Sequence, residues 1–137
     1  MTDTEFEAAK LDAIGVEVEL RNAEGGGLTS AQIARQLGLK SSTAIRGYRI
    51  RGQLFAWEKS HRDLRYPAWQ IYRGKPLPGL AEVLQVFEEK GLPSLSIISF
   101  FVCPSEDLNG KTPLKLLRAH RVGEVVEHAR RLGDIGT

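Results

Sequence analysis

Apolar residues along this chain fall mostly into segments of helical period, interrupted by one aromatic-rich stretch in the middle. Phe6, Ala8, Ala9, Leu11 and Ile14 recur at helical spacing and predict an acidic amphipathic helix over Thr4 to Ile14. Val16, Val18 and Leu20 alternate with charged residues, a pattern that fits a short strand or the end of that helix equally well. Gly25, Gly26 and Gly27 then break the pattern, because three residues with unrestricted φ cost too much entropy inside an element. They read as a flexible connection.

Two short helical patterns follow. In the first, Thr29 or Ser30 can cap a helix whose inward face is Ile33, Ala34 and Leu37, and Gly38 can end it. In the second, Ser41 and Ser42 offer a cap, Ala44, Ile45, Tyr48 and Ile50 suit the core, and Thr43, Arg46 and Arg49 project outward. A small residue at the close approach, a glycine turn and a polar, basic second helix form a helix-turn-helix layout; an ordinary helical hairpin is the plainer alternative. Residues 53–58 and 65–72 are rich in aromatics and flank the polar link 59–64, so a β-hairpin is expected with Lys59, Arg62 and Arg65 at its tip. Trp57 and Trp69 are expected in the core, with base stacking on a single strand as the competing use.

Residues 73–79 hold two prolines and two glycines and read as a linker. Beyond it helices dominate. Leu80, Val83, Leu84 and Phe87 line one helix that ends before Gly91, and Pro93 favours helix over strand for the apolar run to Val102. Thr112 and Pro113 start a short helix through Leu114, Leu116 and Leu117, and Val122, Val125, Val126, Ala129 and Leu132 mark the last one, stopped by Gly133. The expected fold is mainly α with a small β-hairpin: a winged helix-turn-helix over 1–75, followed by a small helical bundle over 76–137.

Charge sharpens this picture. Of the nineteen basic residues, ten lie between Leu28 and Lys75, where the only acids are Glu58 and Asp63, while the whole chain carries only +2. A local excess of +8 suits the displacement of counterions from a phosphate backbone, although a solvated basic face has the same composition. The DNA-binding candidates are Ser42, Thr43, Arg46, Arg49 and Arg51 on the second helix, with Lys59, Arg62 and Arg65 on the hairpin. Double-stranded DNA is the expected partner, and a homodimer is expected because one short recognition helix reads few bases.

Other chemistry is missing. His61, His120 and His128 have no metal-ligand spacing, so neither metal nor cofactor is expected. Gly110-Lys111-Thr112 echoes the end of a phosphate loop, but Ser105 stands where that loop requires glycine. Cys103, the sole cysteine, lies in an apolar run and is expected to be buried and inert; with no pairing partner in the chain it fits a reducing cytoplasm. Glu124 and His128 are spaced to pair on the last helix. Met1 to Glu7 is acidic and unlike a secretory signal, and no apolar run is long enough for a membrane span.

One part of the chain has a familiar look. Leu77-Pro78-Gly79-Leu80, Phe100-Phe101-Val102-Cys103-Pro104, the run from Leu108 through Asn109-Gly110-Lys111-Thr112-Pro113-Leu114-Lys115-Leu116-Leu117, and Val122-Gly123-Glu124-Val125-Val126 resemble the toxin-binding domain of the Xre/MbcA/ParS group of bacterial antitoxins. The resemblance covers roughly Leu77 to Gly133. It implies a binding protein and not an enzyme, one that docks on a partner toxin, commonly of the RES type, while a DNA-binding module on the same chain represses transcription. Leu114, Leu117, Arg118, Val125 and Arg130 are the implied partner-binding residues. The first half, from Leu28 to Gln70, is similar to a short winged helix-turn-helix of the MerR or excisionase kind. Together these imply a cytoplasmic transcriptional regulator, an antitoxin or an orphan relative. The alternative is an interaction module that neutralises a RES-type toxin without sequence-specific DNA binding.

Overall fold

The structure is a computed structural model that describes residues 17–132, so the helix expected over Thr4 to Ile14 lies outside them. The described chain is mostly helical with small antiparallel sheets. Residues 17–22 form α1, so Val18 and Leu20 of the alternating segment are helical, with Arg21 paired to Glu17 at 2.7 Å one turn away. The glycine segment is structured. A 3-10 turn over Ala23–Gly25 leads into β1 (Gly27–Leu28), which pairs antiparallel with residues 66–67. Gly27 is needed there by contact, since a Cβ would stand 2.7 Å from the Trp57 ring and 2.9 Å from the Arg65 Cβ.

Helix α2 (Ser30–Gln36) and helix α3 (Thr43–Ile50) follow, then β2 (Trp57–Ser60) and β3 (Asp63–Pro67), giving a three-stranded sheet in the order β1-β3-β2. The hairpin is tighter than its aromatic flanks suggest. Its tip is His61-Arg62, Lys59 lies at a bulge on β2, and Arg65 lies within β3. The segment read as a linker is instead a second hairpin, β4 (Ile71–Tyr72) with β5 (Lys75–Pro76), and the boundary expected between 75 and 76 falls inside β5.

Helices α4 (Leu80–Lys90), α5 (Ser94–Val102), α6 (Pro113–Arg118) and α7 (Val122–Arg131) complete the chain. Their starts follow local chemistry. Thr112 Oγ1 accepts the Lys115 N–H at 3.1 Å, and Pro113 occupies the first turn of α6, where its missing N–H costs nothing. Gly79 precedes α4 with φ +77, and a Cβ on it would meet Val122 at 2.5 Å, so both backbone angle and the approach of α7 require glycine there.

One buried cluster runs through both halves. The Phe55 ring stacks on Trp69, Trp69 meets Phe101 at 4.6 Å between centroids, and Phe101 meets Phe87 edge-on at 6.0 Å. Both tryptophans are thus interior, as expected of large side chains that must cover helices. Gln70 is fully buried and bridges the loop before β2: its amide accepts from Phe55 N–H and donates to Phe55 C=O, both at 2.7 Å. Cutting that amide would orphan two buried backbone groups, which ties the sheet to the chain entering it.

Several placements differ from expectation. Ala44 and Ile50 face solvent, Ile50 at 65 % exposure, because the eight-residue α3 inserts a single fully buried side chain, Ile45. Cys103 is exposed, since it sits just past the last turn of α5 and not on its packed face. Glu124 pairs with Arg121 through two 2.8 Å bonds instead of with His128, whose ring stacks on Phe100 at 5.4 Å. Leu114, Leu117 and Val125 are at most 1 % exposed; the apolar spacing that singles them out turns them into core, so their side chains present no surface to a partner. Arg118 is half-buried beside Glu24 at 3.8 Å, and Arg130 is exposed beside Glu127 at 3.9 Å.

Candidate nucleic-acid interface

The basic segment is built by two caps and a turn. Thr29 Oγ1 accepts the Gln32 N–H at 3.2 Å while Gln32 Oε1 accepts the Thr29 N–H at 2.8 Å, a reciprocal box that fixes where α2 begins. The helix closes at Gly38, and the Leu39 N–H donates back to the Ala34 carbonyl at 2.9 Å. Ser41, not Ser42, then caps α3: its hydroxyl accepts the Thr43 N–H at 3.1 Å. The chain therefore turns within a few residues, and α2 and α3 pack through Ile33, Ala34 and Ile45.

On α3 the helical period puts Thr43, Arg46, Gly47 and Ile50 on the outward side, opposite Ile45. Arg46 is exposed, whereas Arg49 is half-buried beside the Ile45 ridge, with its Nε–H buried and lacking an acceptor among the described residues. An open groove of about 320 Å³ is lined by Ser42, Arg46 and Arg49 of this segment, by Thr29 and Ser30 at the start of α2, and by Arg62, Asp63, Leu64 and Tyr66 of the hairpin. Three arginines from two separate elements share it. Arg62 holds φ +62 at the hairpin tip, a left-handed conformation that costs a non-glycine residue about 1 kcal/mol. Its N–H donates to Glu58 Oε1 at 3.4 Å, and its guanidinium has no ion-pair partner among the described residues.

The fold thus gathers Ser42, Arg46, Arg49 and Arg62, with Thr43 exposed on the same helix. It does not gather the rest. Arg51 lies over the Tyr48 ring at 5.5 Å and lines a different groove of about 710 Å³ between α3 and α4–α5, which Arg49 also borders. Lys59 is exposed on β2 outside the lining of the shared groove. Arg65 is set apart by its pairing: its guanidinium is held by Asp63 at 3.2 and 3.3 Å and its stem packs at Gly27, so its charge is matched within the sheet. Thr29, Ser30 and Tyr66 were not legible as groove residues, because nothing in the local pattern says that β3 returns past the start of α2. The only available signal was the capping box, which marks where that helix begins.

Across the basic stretch, Arg65 is the one cation of ten with an ion pair among the described residues. Unpaired guanidiniums and ammoniums keep their full field toward solvent, and gathering them in a concave site strengthens that field. Among the described residues no three His, Cys, Asp or Glu side chains gather as a metal site, and no helix is long and apolar enough to cross a membrane.

No family model matches the chain, and no curated protein matches it significantly. Its fold does have a counterpart among solved structures. The NMR structure of Rv2175c superposes with a TM-score of 0.67 at 19% sequence identity, covering 81% of this chain and 83% of that one, a likeness of fold alone.

Proposed function

We propose that this protein is a winged helix-turn-helix regulator that binds duplex DNA, with α3 as the recognition helix and the β2–β3 hairpin as its wing. The observation that carries this reading is the groove in which Arg46 and Arg49 of the helix meet Arg62 of the hairpin, none of their guanidiniums forming an ion pair among the described residues, while Asp63, the one carboxylate in the lining, is taken up by Arg65. A solvated basic face has no reason to bring cations from two elements into one concavity, where their mutual repulsion is unfavourable; a phosphate backbone relieves it. Arg46, exposed on the outward side of α3, reaches base edges, and Arg62 at the strained tip holds a phosphate.

The C-terminal helices supply the partner-binding half of an antitoxin or orphan relative in the same proposal, through exposed residues such as Arg130 and not through Leu114, Leu117 or Val125. The chain acts as a dimer in the cytoplasm, where two half-sites give the specificity one short helix lacks. The rival without sequence-specific DNA binding, a module that only neutralises a RES-type toxin, has no use for the shared groove.

Competition binding on specific and random duplexes tests the DNA reading. Arg46→Ala is expected to cost ~1–3 kcal/mol at one base position if it reads guanine, and Arg62→Ala to weaken every sequence alike and flatten the salt slope by about one. Equal loss from both variants on every sequence removes base reading; no salt-dependent duplex binding by the intact protein removes the function.

A further inference from the structure

Four further cations, Arg35, Lys40, Arg73 and Lys75, also lie outside the groove just described, and none has an ion-pair partner among the described residues. Two of them stand on the second hairpin. Arg73 and Gly74 form its two-residue turn with φ +55 and +78, the pair of positive angles that lets so short a loop match the twist of its strands. Glycine or asparagine would take the first position with less strain, yet an arginine occupies it, its guanidinium held over the Tyr72 ring at 5.0 Å. Lys75 is exposed directly across the register from Tyr72.

The placement of this turn matters more than its charge. A Cβ on Gly74 would stand 3.8 Å from the Gln36 carbonyl, which puts the tip against the C-terminal end of α2. Arg35 belongs to the last turn of that helix and Lys40 to the turn just beyond. The other end of α2, at Thr29 and Ser30, lines the groove shared with Arg62. A seven-residue helix is about 10 Å long, comparable with the ~12 Å width of a major groove. Two cationic hairpin tips therefore bracket one short helix whose neighbour, α3, carries the outward arginine.

We propose that the β4–β5 hairpin is a second phosphate-binding arm, in which Arg73 and Lys75 grip the DNA backbone on the side of α2 opposite Arg62. This rests on the reading of α3 and the first hairpin as a duplex-binding surface, and it adds contacts that position the protein without reading sequence. Tyr72 stiffens the Arg73 side chain, so less rotamer entropy is lost on binding.

The test is the salt dependence of binding by the full chain to a labelled duplex of about 25 base pairs. Arg73→Asn with Lys75→Gln preserves a residue tolerant of the left-handed angle and removes both charges. Its log–log salt slope should be shallower by about two, and its affinity at low salt about tenfold weaker, equally on specific and random duplexes. Lys75→Gln alone leaves the turn untouched and should lower the slope by about one, which separates a lost contact from a damaged hairpin. If Arg62→Ala weakens binding while both hairpin variants match the parent, the arm is overturned and the groove reading stands. If the parent itself shows no salt-dependent duplex binding, both are overturned together. Weakened binding to an acidic protein with unchanged duplex binding also overturns the arm.

Discussion

The two halves of this molecule use arginine in opposite ways. From Leu28 to Lys75 six of seven arginines have no ion pair among the described residues, Arg65 being the exception. Beyond Lys75 every described arginine has a carboxylate within reach: Arg118 has Glu24, Arg121 has Glu124, and Arg130 and Arg131 share Glu127. Surface pairs of this kind contribute little stability, but they cancel the long-range field of both partners. The same residue type is thus neutralised on the C-terminal helices and left uncompensated on the first half. A region kept positive in this way is suited to a highly charged partner; a region whose arginines are matched by carboxylates around a leucine-rich core projects a weaker field to its surroundings.

That contrast can be attacked in several ways. The largest effects concern the core that the halves share. Ile33→Ala in α2 and Leu117→Ala in α6 both empty fully buried sites, and each should cost about 2–5 kcal/mol. Because one buried cluster links them, thermal unfolding followed by far-ultraviolet circular dichroism should show a single transition lowered by either substitution. Two transitions, each moved by only one variant, would make the halves independent domains. Next comes charge. Arg46→Glu with Arg62→Glu should weaken duplex binding ~100-fold, or about 2.7 kcal/mol, in fluorescence anisotropy at moderate salt. Arg121→Glu with Arg130→Glu, the same change at two paired arginines of the C-terminal half, should leave it within about twofold. Comparable losses from both double variants would reduce the contrast to bulk charge.

Smaller effects refine the C-terminal half. Thr112→Ala removes the side-chain acceptor that starts α6 and should lower stability by about 1 kcal/mol in urea titration, with Thr112→Ser restoring most of it. Arg121→Ala should change stability by less than about 1 kcal/mol despite its two short bonds to Glu124, because the pair is exposed to solvent. A larger loss would mean that the pair anchors α7 and does more than neutralise charge.

Helices, caps and their boundaries were legible along the chain because they depend on neighbours three or four residues apart. Thr29, Thr112 with Pro113, Gly38 and Gly91 all mark ends where local rules place them. Local rules were less successful where a distant partner intervenes. The three glycines and the proline-rich segment lack a packing pattern of their own, yet Gly27 pairs with Pro67, and Lys75 pairs with Tyr72 in a hairpin seated against α2. Ile50 shows the opposite failure: its apolar side chain fits an inward face, but α3 is too short to bury a second ridge. At the candidate site the outward placement of Arg46 followed from helical period. That Arg62 would face the same groove, and Arg65 would not, depended on a bulge at Lys59 and on the pairing of Asp63 with Arg65.

By itself the sequence determined the helices, their caps and the concentration of positive charge between Leu28 and Lys75, since composition and short-range periodicity need no knowledge of what packs where. Only the tertiary structure decided which cations share a concavity, which are matched by carboxylates, and which leucines are core and not contact surface. Those outcomes hinge on residues far apart in the chain, brought together by the burial of one aromatic cluster that joins Phe55 and Trp69 to Phe101 and Phe87.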